Sequence, residues 1–313
     1  MKLVVFIAAY NEEKTISDVI LKIPKKILGI DKIEILVVDD GSTDKTVEIA
    51  RNVGATKIVS HKTNMGVGAA FMTGIRNCIS MGADISVKID ADMQFDPKNI
   101  PELVVPILNN QLDVVVGSRF LNSKVENISR KKLIGNKIFT KIISLVTGQK
   151  FTDTQSGFIS YSKEAISNLI VINDFTFVHE ALLDLKFKGF KIGEVGVAVQ
   201  YFKERKSRVV KNVFNYSYRA LSIIIRSLIY HRPIFTFGIL GTLLIVGGIV
   251  AKIITITKIF GGGVASDLST GFIILGIVNF MLGVFATIVF KRQAHTERSI
   301  RHYYEELKNK KSE

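Results

Sequence analysis

One stretch of the chain, Lys88-Ile89-Asp90-Ala91-Asp92-Met93-Gln94, sets two carboxylates and an amide at every second position behind the apolar residues Ile85, Val87 and Ile89. Asp96-Pro97 follows at once. The pattern predicts a buried strand ending in a polar tip, with alternate side chains on one face of an extended segment. Two anionic phosphates leave together only when a divalent cation neutralises them. Mg²⁺ or Mn²⁺ takes oxygen ligands such as Asp92 and Gln94, with substrate phosphates completing the shell. The chemistry this tip suits is therefore the handling of a nucleotide diphosphate. Asp-x-Asp alone is too short to carry that reading, so the elements around it must.

Those elements alternate. Residues 2–9 form a continuous apolar run, as expected of a strand covered on both faces. Asn11-Glu12-Glu13 starts a helix with Ile16, Val19, Ile20 and Ile23 at helical spacing, and Pro24 stops it. Residues 33–38 make a second strand ending in Asp39-Asp40-Gly41-Ser42-Thr43-Asp44, where Ser42 or Thr43 can cap the next helix and Asp44 suits its positive end. Residues 57–60 read as a short third strand, and Gly66 to Met81 as a helix. Asp96 and Pro97 fit the cap and first position of another helix, and Asp113 to Gly117 is a further buried strand leading into Ser118-Arg119. Such alternation predicts an α/β fold with a mostly parallel, Rossmann-like sheet, whose ligands sit beyond the carboxyl ends of the strands. Tyr10-Asn11-Glu12, Asp39-Asp40, Asp90-Ala91-Asp92 and Ser118-Arg119 all fall at those ends. The glycines after Asn64 lack the third glycine of a dinucleotide fingerprint, which argues against a dehydrogenase.

Composition narrows the partners. The chain has 313 residues, a formal net charge of +14 and 47% hydrophobic residues. Its basic balance calls for an anionic partner, and the concentration of apolar residues after position 233 favours an acidic lipid surface over nucleic acid. The single cysteine, Cys78, excludes an intramolecular disulfide and a multi-cysteine zinc site, and the five histidines show no ligand-like pairing. The apolar start is too short for a signal sequence and runs straight into Asn11-Glu12-Glu13, so it reads as a strand on the cytoplasmic side.

Five motifs in order then carry a resemblance: Ala8-Ala9-Tyr10-Asn11-Glu12, Val37-Val38-Asp39-Asp40-Gly41-Ser42-Thr43-Asp44, Asn64-x-Gly66-x-Gly68-Ala69, Asp90-Ala91-Asp92-x-Gln94 and Gly117-Ser118-Arg119. Together they resemble the family-two glycosyltransferases, and Gln94 after Asp-Ala-Asp is similar to the polyprenyl-phosphate branch, which includes dolichol-phosphate mannose and glucose synthases. The resemblance implies an A-type glycosyltransferase domain that inverts the sugar as it passes from a UDP- or GDP-linked donor to a membrane polyprenyl or dolichyl phosphate. It also implies roles. Ala8, Tyr10, Glu12, Val38, Asp40, Asp90, Ala91 and Asp92 would surround the donor, joined by Arg205 and Lys206 of a basic loop. Asp92 and Gln94 would hold Mg²⁺ or Mn²⁺. Arg119 with Arg130, Lys131 and Lys132 would meet the acceptor phosphate. Asp90 and Asp92 would be catalytic, and Asp153, in the acceptor-side motif Thr152-Asp153-Thr154-Gln155-Ser156-Gly157-Phe158, would orient or deprotonate the acceptor. A base is weakly required, since a phosphate monoester is already largely anionic at neutral pH. Ala8 stands where many relatives carry Pro, and Ile159 where Arg is common. Transfer to another lipid or to a polysaccharide is the nearer alternative, although the chain has no Trp for the Gln-x-x-Arg-Trp signature of processive relatives. A membrane-anchored nucleotide-sugar-binding protein without turnover is the alternative from another class.

The rest of the chain points to a bilayer. Residues 124–150 and 209–232 read as basic amphipathic helices suited to a headgroup boundary. About 234–256 and 270–290 are long and apolar enough to span it, with Lys252 snorkelling near the far end of the first. Arg226 and Arg232 before the first span, and Lys291, Arg292, Arg298 and Arg301 after the second, place the catalytic domain (1–208), both termini and the basic tail (291–313) in the cytoplasm of a two-span cell-membrane protein. The sequence leaves a homo-oligomer open.

Overall fold

The computed structural model describes residues 1–121, 128–171, 177–200, 213–256 and 264–310. Two compact units emerge, Met1–Ile224 and Ile225–Glu313. In the first, β1 (Lys2–Ala9), β2 (Lys32–Asp39), β3 (Lys57–Ser60), β4 (Ile85–Asp90), β5 (Val114–Ser118), β6 (Ile159–Ser162) and β7 (Ile192–Gly196) form one seven-stranded sheet in the order β3-β2-β1-β4-β6-β5-β7. All neighbours pair parallel except β6, which runs antiparallel to both β4 and β5. The expected mostly parallel sheet is present. The strands β6 and β7 are additions that local pattern did not announce, since Ile-Ser-Tyr-Ser is short and Ile-Gly-Glu-Val-Gly carries two glycines and an acid. Their pairing partners lie far away in sequence, and that non-local pairing makes them strands.

The central strands are apolar on both faces because helices cover both. α1 (Ile16–Lys22), α2 (Thr46–Asn52), α3 (Val67–Ser80) and α4 (Ile100–Leu108) follow the first strands. Leu3, Val5, Ile7, Val37, Val87 and Ile89 join Ile16, Val19, Ile20, Leu103 and Val104 in one buried cluster. Gly74 of α3 lets that helix lie on β1, since a side chain there would run into the Phe6 ring. The helix expected from Asn11 begins later, at Ile16, because Glu12 to Thr15 form a turn. Asp96 caps a 3-10 turn, Pro97–Asn99, as its spacing predicts, and accepts the Lys98 N–H at 3.0 Å.

The second half of this unit carries α5 (Arg130–Thr147), α6 (Lys163–Asn168) and α7 (Val178–Phe187). α5 is two-faced. Asn136, Phe139, Thr140 and Ile143 are buried, while Ile134, Ile138 and Leu145 (74% exposed) stand outside beside exposed Lys137 and Lys141. α8 (Val213–His231) spans the boundary between the units. Its Ala220, Ile223 and Ile224 are buried, whereas Tyr218, Leu221 and Ile225 remain exposed. The single apolar side expected of this helix is thus divided, with Ile224 inward and Leu221 and Ile225 outward.

In the second unit, α9 (Pro233–Ile256) and α10 (Val264–Lys310) form an antiparallel pair. A Cβ on Gly241 would lie 2.7 Å from Gly276 O, one on Gly276 2.6 Å from Gly241 O, and one on Gly248 2.8 Å from Ser269 O. Small residues thus let the backbones touch, as apolar helices without a hydrophobic driving force between them require. Two stretches, Pro233–Ile256 and Asp267–Gln293, are long and apolar enough to cross a membrane, and few of their residues are buried. Lys252 Nζ lies 3.3 Å from Thr270 Oγ1. The tail expected after residue 290 continues the same helix to Lys310.

Candidate active site

Ala8, Val38 and Asp90 meet where the central parallel strands end. Ala8 of β1 stands in register with Val38 of β2 on one side and Asp90 of β4 on the other. Ala8 is half-buried and Val38 fully buried, so Val38 supports this row without facing solvent. Asp90 keeps 35% of its side chain exposed, and Ala91 beside it is buried.

Next to this row, the tips of β1 and β2 are clipped together. Asn11, in the left-handed region at φ 53°, accepts the Thr43 N–H on Oδ1 at 2.8 Å, and its own N–H donates to Ser42 Oγ at 2.8 Å. The Glu12 N–H donates to Thr46 Oγ1 at 2.8 Å, and the Glu12 carboxylate accepts the Thr15 hydroxyl at 3.1 Å. Tyr10 sits half-buried at the same rim. Asp44, rather than Ser42 or Thr43, receives the start of α2: its Oδ1 accepts the Thr46 N–H at 3.0 Å. Ser42 is unavailable for that cap because it serves the neighbouring loop.

Asp40 braces a third loop. Its carboxylate accepts the backbone N–H groups of Met65 and Gly66, both at 2.9 Å, at the positive end of α3. His61 Nδ1 lies 2.7 Å from Asp40 Oδ1 and His61 Nε2 lies 2.9 Å from Thr73 Oγ1. His61 therefore has a place at the site that its isolated position in the sequence did not signal. Gly41, at φ +78°, makes the approach feasible, since a Cβ there would lie 2.6 Å from the Thr63 backbone.

The carboxylate tip itself departs from expectation. β4 ends at Asp90, Met93 adopts φ 58°, and Asp92 Oδ1 accepts the Gln94 N–H at 3.1 Å. A tight turn, not strand alternation, brings Asp92 and Gln94 together, because the short Asp side chain bonds its own backbone two residues on. The Gln94 carbonyl accepts the Gln200 N–H at 2.9 Å, and Phe95 bridges Val199. The last described residues before the basic loop are thus tied to this turn, while Arg205 and Lys206 themselves lie outside the described residues.

Asp92 and Gln94 are both half-buried and offer oxygen donors. No group of three or more His, Cys, Asp or Glu residues able to hold a metal occurs among the described residues. A protein contribution of two oxygens fits Mg²⁺ or Mn²⁺ bound largely through substrate phosphates and water, and does not fit a closed structural site.

On the other flank, Arg119 and Asp153 form a buried pair. Arg119 Nε and Nη2 donate to the Asp153 carboxylate at 2.6 and 2.8 Å, Asn136 Nδ2 donates at 3.0 Å, and the Gln155 N–H at 3.1 Å. Burial alone would raise the Asp153 pKa, but the Arg119 bonds and charge, with Asn136, outweigh it and hold the carboxyl below its ordinary value. Asp153 is 0% exposed. So enclosed, the carboxylate is held by the Arg119 guanidinium and the Asn136 amide. Glu194 of β7 accepts the Thr152 and Asp153 N–H groups, both at 2.8 Å at the closest, and burial together with the Asp153 charge raises its pKa against those bonds. His179 of α7, fully buried against Phe139, has its pKa lowered to about 4 by burial, with Asp153 opposing. Neither Glu194 nor His179 belongs to a motif, so no sequence signal marked them. Arg130, Lys131 and Lys132 form the first turn of α5, where Ser129 Oγ accepts the Lys132 N–H at 3.4 Å and Lys132 is exposed.

Residues 4–170 match the model of glycosyl transferase family 2. The UDP-N-acetylglucosamine--dolichyl-phosphate N-acetylglucosaminyltransferase of Methanococcus voltae is 33% identical over 222 residues, covering 64% of this chain and 87% of that protein. The dolichol-phosphate mannosyltransferase of Pyrococcus furiosus is 29% identical over 233 residues, covering 71% of this chain and 64% of that protein. Among solved structures, glucosyl-3-phosphoglycerate synthase from Mycobacterium tuberculosis in complex with uridine diphosphate superposes with a TM-score of 0.53 at 23% identity, over 72% of this chain and 79% of that one. This last likeness concerns the fold.

Proposed function

Because the chain belongs to glycosyl transferase family 2, we propose that it transfers one sugar, with inversion, from a UDP- or GDP-linked donor to a membrane polyprenyl or dolichyl phosphate. The observation that carries this reading is the single rim formed by Ala8 and Asp90 in register, the Asp92–Gln94 turn beyond them and the Asp40-braced loop beside them. The M. voltae and P. furiosus relatives, named for dolichyl-phosphate transfer, support the choice of acceptor.

On this reading Tyr10, Glu12 and Asp40 border the nucleotide, and Asp90 accepts hydrogen bonds from the ribose or sugar. Asp92 and Gln94 would hold a divalent cation, whose charge would offset that of the diphosphate. A lipid-phosphate oxygen attacks the anomeric carbon on the face opposite the nucleotide. The new C–O bond forms as the old one breaks, and its electron pair leaves with the diphosphate. No proton need move at the acceptor, which agrees with an enclosed Asp153 that holds Arg119 toward the acceptor side. Arg205 and Lys206 supply charge to the leaving group. The outward apolar residues of α5 and α8, with Lys132, Lys137 and Lys141, rest at a headgroup boundary, and α9 and α10 anchor the chain with the catalytic unit on the cytoplasmic side.

The test is incubation of the purified full chain with a short polyprenyl phosphate, Mn²⁺ or Mg²⁺, and a set of UDP- and GDP-sugars. The expected product is an acid-labile lipid phosphate bearing one sugar. A polymer, or no lipid-linked sugar from any donor, overturns the proposal.

A further inference from the structure

Beneath the carboxylate tip lies a charged residue to which no role has been given. Lys88, two residues before Asp90 on β4, has a side chain only 1% exposed, although lysine is almost never fully buried without a partner. Its ammonium pairs with Asp90 Oδ1 and sits 5.0 Å from the centre of the Phe177 ring. A third element closes this arrangement from the acceptor-side loop. A Cβ at Gly157 would collide with Asp90 Oδ2 and lie 2.9 Å from Lys88 Nζ, so a side chain there would displace the pair.

Three features make the arrangement more than core packing. Two charges in such surroundings stabilise a fold less well than apolar side chains of the same size. The partner is asymmetric, since Lys88 is enclosed while Asp90 remains 35% exposed at the rim. The contact also fixes one carboxylate oxygen and leaves the side chain facing outward in one orientation. We infer that Lys88 is a positioning residue that, with Gly157 as the wall behind it, locks the Asp90 carboxylate in the orientation that meets the donor. This rests on the reading of Asp90 as a donor-contacting group.

Lys88→Met keeps the buried stem and removes the ammonium. Gly157→Ala keeps every charge and displaces the carboxylate by contact. Asp90→Asn tests the underlying reading. The readouts are the dissociation constant of UDP-N-acetylglucosamine or GDP-mannose, whichever the wild type binds better, by calorimetry of the full-length protein in detergent with Mn²⁺, and the melting temperature of each variant. Loss of one oriented charge-assisted hydrogen bond corresponds to about tenfold in affinity. The expected result is a loss of about that size in all three variants, with Lys88→Met melting no lower than wild type. Weakened binding in Asp90→Asn but unchanged binding in Lys88→Met overturns the positioning role and leaves the donor reading standing. Unchanged binding in Asp90→Asn, or no binding of either donor to wild type, overturns the donor reading and the inference with it. A fall in melting temperature with donor affinity intact shows Lys88 to be structural only, which also overturns the inference.

Discussion

Replacing Asp153 with Ala separates a bracing role from a proton-transfer role. The carboxylate is 0% exposed and accepts two guanidinium N–H groups, the Asn136 amide and the Arg119 and Gln155 backbone N–H groups. Removing it takes from Arg119, whose side chain is 13% exposed, the carboxylate that accepts two of its guanidinium N–H groups. Breaking a buried pair in this way costs about 3–5 kcal/mol, which for a unit of this size lowers the melting temperature by roughly 6–20 °C. Arg119→Met with Asp153→Leu removes both charges together and recovers much of that loss, since neither member of the pair is left without the other. Burial pushes the Asp153 pKa up, and Arg119 and Asn136 more than reverse this, so the folded value lies below the unfolded one of about 3.9. The pair's contribution is accordingly complete above that unfolded value and is lost as pH falls through the lower folded value. The assay is thermal melting of the detergent-solubilised full chain, scored beside turnover. An Asp153→Ala protein that melts within about 2 °C of wild type, or a double variant less stable than either single one, refutes the bracing argument. Asp153→Asn with unchanged melting and selectively lost turnover would restore a chemical role.

Further outcomes follow from other sites. On the proposed function, Asp92→Ala takes away one of the two proposed oxygen ligands of the cation and should lower turnover by about 100-fold or more, while the melting temperature stays near that of wild type; activity in assays of lipid-linked sugar within threefold of wild type would contradict this. His179, with a folded pKa near 4 against an ordinary 6.5, stays neutral when folded and takes a proton when unfolded. Stability should therefore fall between pH 6.5 and 4, by up to roughly 3 kcal/mol, and chemical denaturation across that range should find the slope flattened in His179→Phe. Gly276→Val should destabilise the apolar helix pair by about 1–3 kcal/mol, because its Cβ would meet Gly241 O, whereas Gly271→Val on the same helix has open space and should melt like wild type.

Much of this protein was legible from local pattern. Apolar runs with polar ends marked β1, β2 and β4, and 3.6-residue periodicity marked α1 and the helix at 213–231, because burial on two faces and on one stripe leave different imprints. Twenty-odd mostly apolar residues, broken in the first stretch only by Lys252, marked α9 and the first part of α10. Asp90, Asp92 and Gln94 were visible because two carboxylates and an amide at every second position behind an apolar run make a pattern contained in one short stretch.

What the sequence could not decide were arrangements made between distant segments. β6 joins the sheet only because β4 and β5 lie on either side of it, and Glu194 serves Thr152 and Asp153 across a sequence separation of 41–42 residues. Read alone, Asp153 was a candidate to orient or deprotonate the acceptor and Lys88 a residue on the way to the motif. Packing encloses both, and in an enclosed place a charge is governed by whichever partner the fold brings to it, a matter of three-dimensional proximity that no local pattern of residues records.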